Sequence, residues 1–242
     1  MSRRAGGPPG GARPLEPIHA GTSGPDAELF VVEGESAALA VARVRDCERQ
    51  GLVPMQGKPL NARRATRRRV LAQPFFRALA EALGATLGQP PEPRSLRYGR
   101  LLILTDPDAD GIHCGVLLLG FLLEWMRPLL DAGIVGWVRA PWGVVEPAGG
   151  PERVVHSEDE LQAAVAAARA AGPVASRRFR GLAAIDEGLL RRACLAPATR
   201  RIERIDAAAV EGMLRLLAAV EEIPGPFPES EGPRANPRAD RP

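Results

Sequence analysis

Lysine is almost missing from this 242-residue chain: Lys58 is the only one, and the other 31 of its 32 basic residues are arginines. Cysteine is scarce. Cys47, Cys114 and Cys194 share no C-x-x-C spacing, and an odd, sparse count argues against a disulfide framework or a zinc site and fits a reducing cytoplasm. Aromatic residues make up 4%, with a single tyrosine, Tyr98. No apolar run approaches the roughly 20 residues that span a bilayer; the densest, 116–123, stops at Glu124. The N-terminus has arginines but no apolar stretch behind them, so no signal peptide is expected. Acid is absent between positions 49 and 80, where Arg49, Lys58, Arg63, Arg64, Arg67, Arg68, Arg69 and Arg77 all fall. Such a block suits a polyanion, although a solvated helix face gives the same pattern.

Glycine (26) and proline (24) are in excess and crowd the ends of the chain. Residues 1–26 and 223–242 are predicted to be a disordered arm and tail. Between them, a buried strand is predicted over 28–33, ending at Glu33-Gly34, and a helix over 36–47. A second helix is predicted over 74–87, with Pro74 at its start and Gly88 beyond its end. A second buried strand, 101–105, runs into Asp106-Pro-Asp-Ala-Asp-Gly111, followed by an apolar helix over 113–130 and a third strand over 134–138. Past Pro141, Ser157 and Glu160 form a capping box for an alanine-rich helix that stops at Gly172. A basic connector or strand over 176–185 and a helix over 206–220 complete the chain. Strands alternating with helices, then a helical tail, predict an α/β fold with an appendage.

Asp106, Asp108 and Asp110 alternate directly after a strand, and Glu33 ends the other strong strand. If the two strands are parallel neighbours, all four carboxylates lie along the C-terminal edge of the sheet, where open α/β sheets bind ligands. Carboxylates this close repel, so either their proton affinities rise or a cation holds them ionised. Oxygen donors without a His or Cys cluster favour Mg²⁺. An EF-hand is excluded: its twelfth position needs a bidentate glutamate, and counting from Asp106 gives Leu117.

Glu33-Gly-Glu-Ser36, Pro54-Met-Gln-Gly-Lys58-Pro-Leu-Asn61, Leu96-Arg-Tyr98 and Thr105-Asp-Pro-Asp-Ala-Asp-Gly-Ile-His113 follow in order. They resemble the TOPRIM domain of the B-type subunits of DNA gyrase and topoisomerase IV, the type IIA topoisomerases. The resemblance continues through Met126-Arg-Pro-Leu-Leu130 and Gly133 and resumes at Arg178-Phe-Arg-Gly-Leu182. It implies a Rossmann-like fold over 27–142, with a mainly parallel central sheet flanked by helices, and a mostly helical C-terminal extension over 143–222. It also implies a role for each matching residue. Glu33 is the general acid/base and a metal-site residue, Asp106 and Asp108 bind Mg²⁺, and Asp110 completes the acidic motif. Lys58 and Asn61 contact DNA near the cleavage point. Arg63 and Arg64, from the basic block, and His113, beside the acidic motif, extend the expected DNA contacts.

The resemblance further implies an enzyme component that is not self-sufficient. In the family a tyrosine from the A-type subunit attacks a DNA phosphodiester. Tyr98 cannot stand in for it, because about eight residues at ~3.3 Å each separate it from the acidic motif. The expected partners are therefore DNA and an A-type subunit, in the cytoplasm and associated with the nucleoid. No Gly-x-x-x-x-Gly-Lys-Ser/Thr loop is present, and only 26 residues precede Ala27, so ATPase and transducer domains are expected to be absent and ATP hydrolysis either to come from a separate subunit or to be lacking. Several positions depart from the family pattern. Ala38-Leu39 replaces Gly-Gly, Glu35 replaces Asp, and Gln56 and Gly115 stand where basic residues are usual. Ala183-Ala184-Ile185 replaces Gly-Glu-Met, and Trp142 lies near the family's Pro-Leu-Tyr. Those departures keep a second reading open, a DNA- or topoisomerase-binding module that does not cleave. A TOPRIM nuclease or primase is a third, disfavoured by the gyrase-like segment past Pro141.

Overall fold

The computed structural model describes residues 16–170 and 172–221. Its centre follows from apolar runs that bury both of their faces. In β1 (Gly24–Glu33), Leu29 and Val31 face one side of the sheet and Phe30 and Val32 the other, and none of the four is exposed. On its two sides β1 pairs in parallel with β2 (Gln50–Met55) and β3 (Tyr98–Leu104), and β3 pairs in parallel with β4 (Val135–Val138). One face is covered by α1 (Glu35–Val44). The other is covered by α3 (Pro74–Leu83) and α4 (Ala109–Trp125), whose Phe76 and Phe121 rings stack at 3.9 Å. Between β2 and α3, Thr66 caps the short α2 (Arg67–Ala72).

Several expectations need correction. The arm does not extend to residue 26. β1 begins at Gly24, and residues 16–23 run beside β2 and the turn before it, with Ile18 and Leu52 exchanging backbone hydrogen bonds of 2.8 and 2.7 Å and the Gly21 and Thr22 amides donating to the Cys47 and Glu48 carbonyls. The remainder of that arm, 1–15, and the tail lie outside the described residues. β2 is a strand that the sequence did not reveal, since a proline inside a run reads against one. The N and C=O of Pro54 point to the same side as those of Leu52, away from β1, so the missing N–H costs no ladder bond. The helix predicted to reach 87 stops at Gly84, whose left-handed backbone (φ 78°) closes it. The helix predicted over 113–130 breaks at Met126 and restarts as α5 (Arg127–Asp131), because Pro128 cannot continue the ladder of α4.

The C-terminal part contains the expected helices and also a small antiparallel sheet. β5 (Gly143–Pro147) lies between β6 (Arg153–Val155) and β7 (Val174–Arg178). α6 (Glu158–Arg169) packs on it, capped as expected by Ser157. After α7 (Glu187–Leu190) and a π-helical turn over 191–195, β8 (Ile202–Arg204) joins the main sheet antiparallel to β4. α8 (Ala207–Glu221) then packs on α4. The extension is thus woven into the main sheet. Its firmest tie is buried: the Arg200 guanidinium donates to Glu28 Oε2 (2.6 Å) and to the Leu195 carbonyl (2.7 Å). Gln50 Nε2 donates to the same two acceptors, at 3.1 and 2.8 Å. Among the described residues no helix is long and apolar enough to cross a membrane.

Candidate metal and nucleic-acid site

The four acids gather at the C-terminal edge of the sheet. β1 and β3 are parallel neighbours with Val32 opposite Leu104, so both end at the same level. Glu33 is the last residue of β1, and Asp106 comes two residues after β3. Asp108 caps α4, accepting the Gly111 amide at 2.8 Å, and Asp110 sits in its first turn. The positive end of this 17-residue helix faces the acids.

Glu33 and Asp106 are half-buried, whereas Asp108 and Asp110 are exposed. Burial raises the proton affinity of Glu33, and Asp106, Asp108 and Asp110 push it further, while a hydrogen bond from the Cys114 thiol acts in the opposite sense. Asp106 is also raised, mainly by burial and then by Asp108, against the Leu182 amide, which donates to its Oδ1 at 2.8 Å. Burial, followed by the neighbouring Glu33 charge, pushes the Cys114 thiol up to about 12, which rules it out as a nucleophile.

The donor set fits a hard cation. Glu33 Oε2 is buried without a hydrogen-bond partner, and an ion beside it would relieve both that loss and the repulsion among the acids. Among the described residues no three His, Cys, Asp or Glu side chains form a ready cage. Mg²⁺ does not need one, since it keeps several waters and is commonly shared between one or two carboxylates and phosphate oxygens. Glu33, Asp106, Asp108 and Asp110 are the residues that would hold it.

The expected DNA contacts divide into two groups. Lys58 follows β2, and its Nζ donates to His113 Nδ1 at 3.1 Å, which brings both side chains to the first turn of α4 beside the acids. Asn61, Arg63 and Arg64 lie further along the same loop. The Asn61 side chain accepts the Arg63 amide at 3.2 Å and shapes the turn. Arg63 pairs with Glu124 at 3.1 Å, and Arg64 is exposed. Tyr98 is buried at the opposite end of β3, where its hydroxyl meets His19 Nδ1 and the Ala20 amide, both at 3.2 Å. Its expected packing role stands.

Three features of the site escaped the sequence reading. The Leu182 amide reaches Asp106 from the extension, a contact that no spacing in the chain encodes. The Cys114 thiol touches Glu33, a pairing between α4 and the end of β1 that no local spacing encodes either. The close approach of Trp137 to Gly115 is the third. A Cβ there would lie 2.2 Å from the Trp137 ring, so the indole fills the space into which a basic side chain at this position would begin. Trp137 and Trp142 line a cleft of about 510 Å³ that opens beside Asp106.

Comparison with known proteins agrees with this geometry. The family profile described as Toprim domain matches residues 28–135. The DNA gyrase B protein of Haloferax volcanii is 34% identical over 195 residues, covering 79% of this chain and 30% of the relative. Its counterparts from Enterococcus faecalis and Thermotoga maritima are 33% and 34% identical, and each match covers 74% of this chain and 28% of the relative. The chain therefore spans less than a third of these curated relatives. The crystal structure of the Plasmodium falciparum topoisomerase II DNA-binding, cleavage and re-ligation domain matches with a TM-score of 0.62 at 21% identity. That match covers 78% of this chain and 26% of the other, a likeness of fold. The acids on adjacent strand ends, the sheet order and the matched segment together identify this chain as carrying a Toprim domain of the DNA gyrase B type.

Proposed function

We propose that this chain is the Toprim component of a type II DNA topoisomerase, binding Mg²⁺ and DNA and supporting tyrosine-mediated strand cleavage and resealing with an A-type subunit. The carrying observation is the unpartnered Glu33 Oε2, buried at the sheet edge among Asp106, Asp108 and Asp110. In the reaction a tyrosine hydroxyl releases its proton as its oxygen bonds to a DNA phosphorus, and the bond from phosphorus to a sugar oxygen breaks. The departing oxygen takes up a proton, and resealing removes it again. Glu33 is suited to hold that proton, because burial raises its proton affinity. Lys58 and His113 flank the acids and orient the phosphate backbone, with Asn61, Arg63 and Arg64 continuing the contact along the strand. A bound Mg²⁺ supplies positive charge for the phosphate and the departing oxygen. The attacking tyrosine comes from the partner, since Tyr98 is buried at the far end of the sheet. The expected location is the cytoplasm, on the nucleoid.

A second reading, a DNA- or topoisomerase-binding module that does not cleave, is favoured by one observation. The approach of Trp137 to Gly115 removes a cation that the family pattern places next to the acids. Cleavage of supercoiled plasmid separates the two. With Mg²⁺ and a gyrase A-type subunit, the wild-type chain is expected to give protein-linked breaks, and Glu33→Ala and Asp106→Ala to give none. Absence of breaks from the wild type, with Mg²⁺ and DNA binding intact, would establish the binding module instead.

A further inference from the structure

One contact to the acids comes from outside the strands and helix that carry them. The Leu182 amide donates to Asp106 Oδ1 at 2.8 Å, from 76 residues further along the chain. The segment that delivers it is fixed on both sides. Phe179 and Leu182 are buried in the layer that α1 and α7 share with the sheet. The Phe179 amide donates to the Trp142 carbonyl at 3.0 Å, and the Arg178 guanidinium lies 4.2 Å from the Trp142 ring centre. Gly181 has φ 155° and ψ 172°, and a Cβ there would lie 2.6 Å from Asp106 Oδ2. Only glycine lets this backbone lie against the carboxylate, and the space that a side chain would fill adjoins the second carboxylate oxygen.

We infer that the Gly181–Leu182 peptide is a positioning clamp for Asp106, which fixes the carboxylate so that the extension sets the Mg²⁺ affinity of the Toprim acids. The inference rests on the Mg²⁺ reading above and adds the origin of the preorganisation. A free aspartate would lose rotamer freedom on binding an ion; here that freedom is already lost, and the amide occupies one oxygen while leaving the other. Partners of this kind typically change metal affinity by roughly 10- to 100-fold when removed.

The test is calorimetric titration of the full chain with Mg²⁺ alone, for wild type, Gly181→Ala, Leu182→Pro and Leu182→Ala, with a thermal melt of each. Leu182→Pro removes the donor at the first position of the one-turn helix over 182–184, where proline is tolerated. Leu182→Ala keeps the donor and loses the packing. Gly181→Ala and Leu182→Pro are expected to bind Mg²⁺ about tenfold more weakly, with Leu182→Ala close to wild type. Equal affinity in all four proteins would overturn the clamp and leave the metal reading intact, as would a Leu182→Ala loss matching that of Leu182→Pro. Should Leu182→Pro not fold, Gly181→Ala decides alone. Failure of the wild type to bind Mg²⁺ would sink the metal reading itself, and the clamp with it.

Discussion

Glu33 carries a charge that its surroundings resist. An acid whose folded pKa is raised binds more protons folded than unfolded, so stability falls as pH rises from its ordinary value of 4.5 through the raised one. Glu33→Gln escapes that loss. In metal-free buffer the variant is expected to melt above wild type at neutral pH, with the gap closing below 4.5, and to lose Mg²⁺ binding. Identical melting curves at neutral pH would show that the site is not strained. The thiols divide just as sharply. Cys47 is exposed, while burial pushes Cys114 and Cys194 to about 12. Alkylation of the native protein at neutral pH is therefore expected to label Cys47 alone, and mass spectrometry of peptides would show all three labelled only after unfolding. At this scale the sequence was informative wherever chemistry is local. Acids at alternate positions after a strand read either as a carboxylate cluster or as an aspartate-rich turn, and Glu33 at the end of the other strong strand favours the cluster, whereas the thiol–carboxylate contact and the Leu182 amide depend on how distant segments meet.

Elements were legible where periodicity was strong and obscure where proline spoke in two senses. β1, β3, β4, α6 and α8 sit close to where burial patterns and caps place them. Pro54 hid β2, because only the pairing shows that its nitrogen faces outward; Pro128 broke an apolar run that reads as one helix. Where α4 packs on β4, Gly115 admits the Trp137 ring, and a methyl group there would collide with it. Gly115→Ala is expected to cost roughly 1–3 kcal/mol by overpacking, and adding Trp137→Leu should restore much of it. Urea unfolding of the two singles and the double variant measures this, and additive losses would mean that the two positions do not share the space.

Across the whole molecule, the extension grips the sheet at both ends of its strands. Leu182 holds the C-terminal edge, and Arg200 holds Glu28 near the start of β1. The Arg200 side chain is fully buried, so Arg200→Ala leaves the buried Glu28 carboxylate to Gln50 and to an Arg100 guanidinium 4.0 Å away, and is expected to cost up to about 3–5 kcal/mol. Equilibrium unfolding would show it, together with earlier proteolysis after residue 142; a variant as stable as wild type would mean that the tie is redundant. Little of this could be read from the sequence, because an Arg–Glu pair 172 residues apart leaves no local signal.

The segment at 16–23 has a consequence for solubility. Among the described residues β2 is the last strand of the sheet on its side, and its outward N–H and C=O groups would template the addition of another chain. Ile18 occupies Leu52, and Pro54 offers no donor at the next outward position. These few residues therefore work as a selvage that stops the sheet from recruiting copies of itself. A chain trimmed to begin at Gly24 should form concentration-dependent oligomers in light scattering where the intact chain does not.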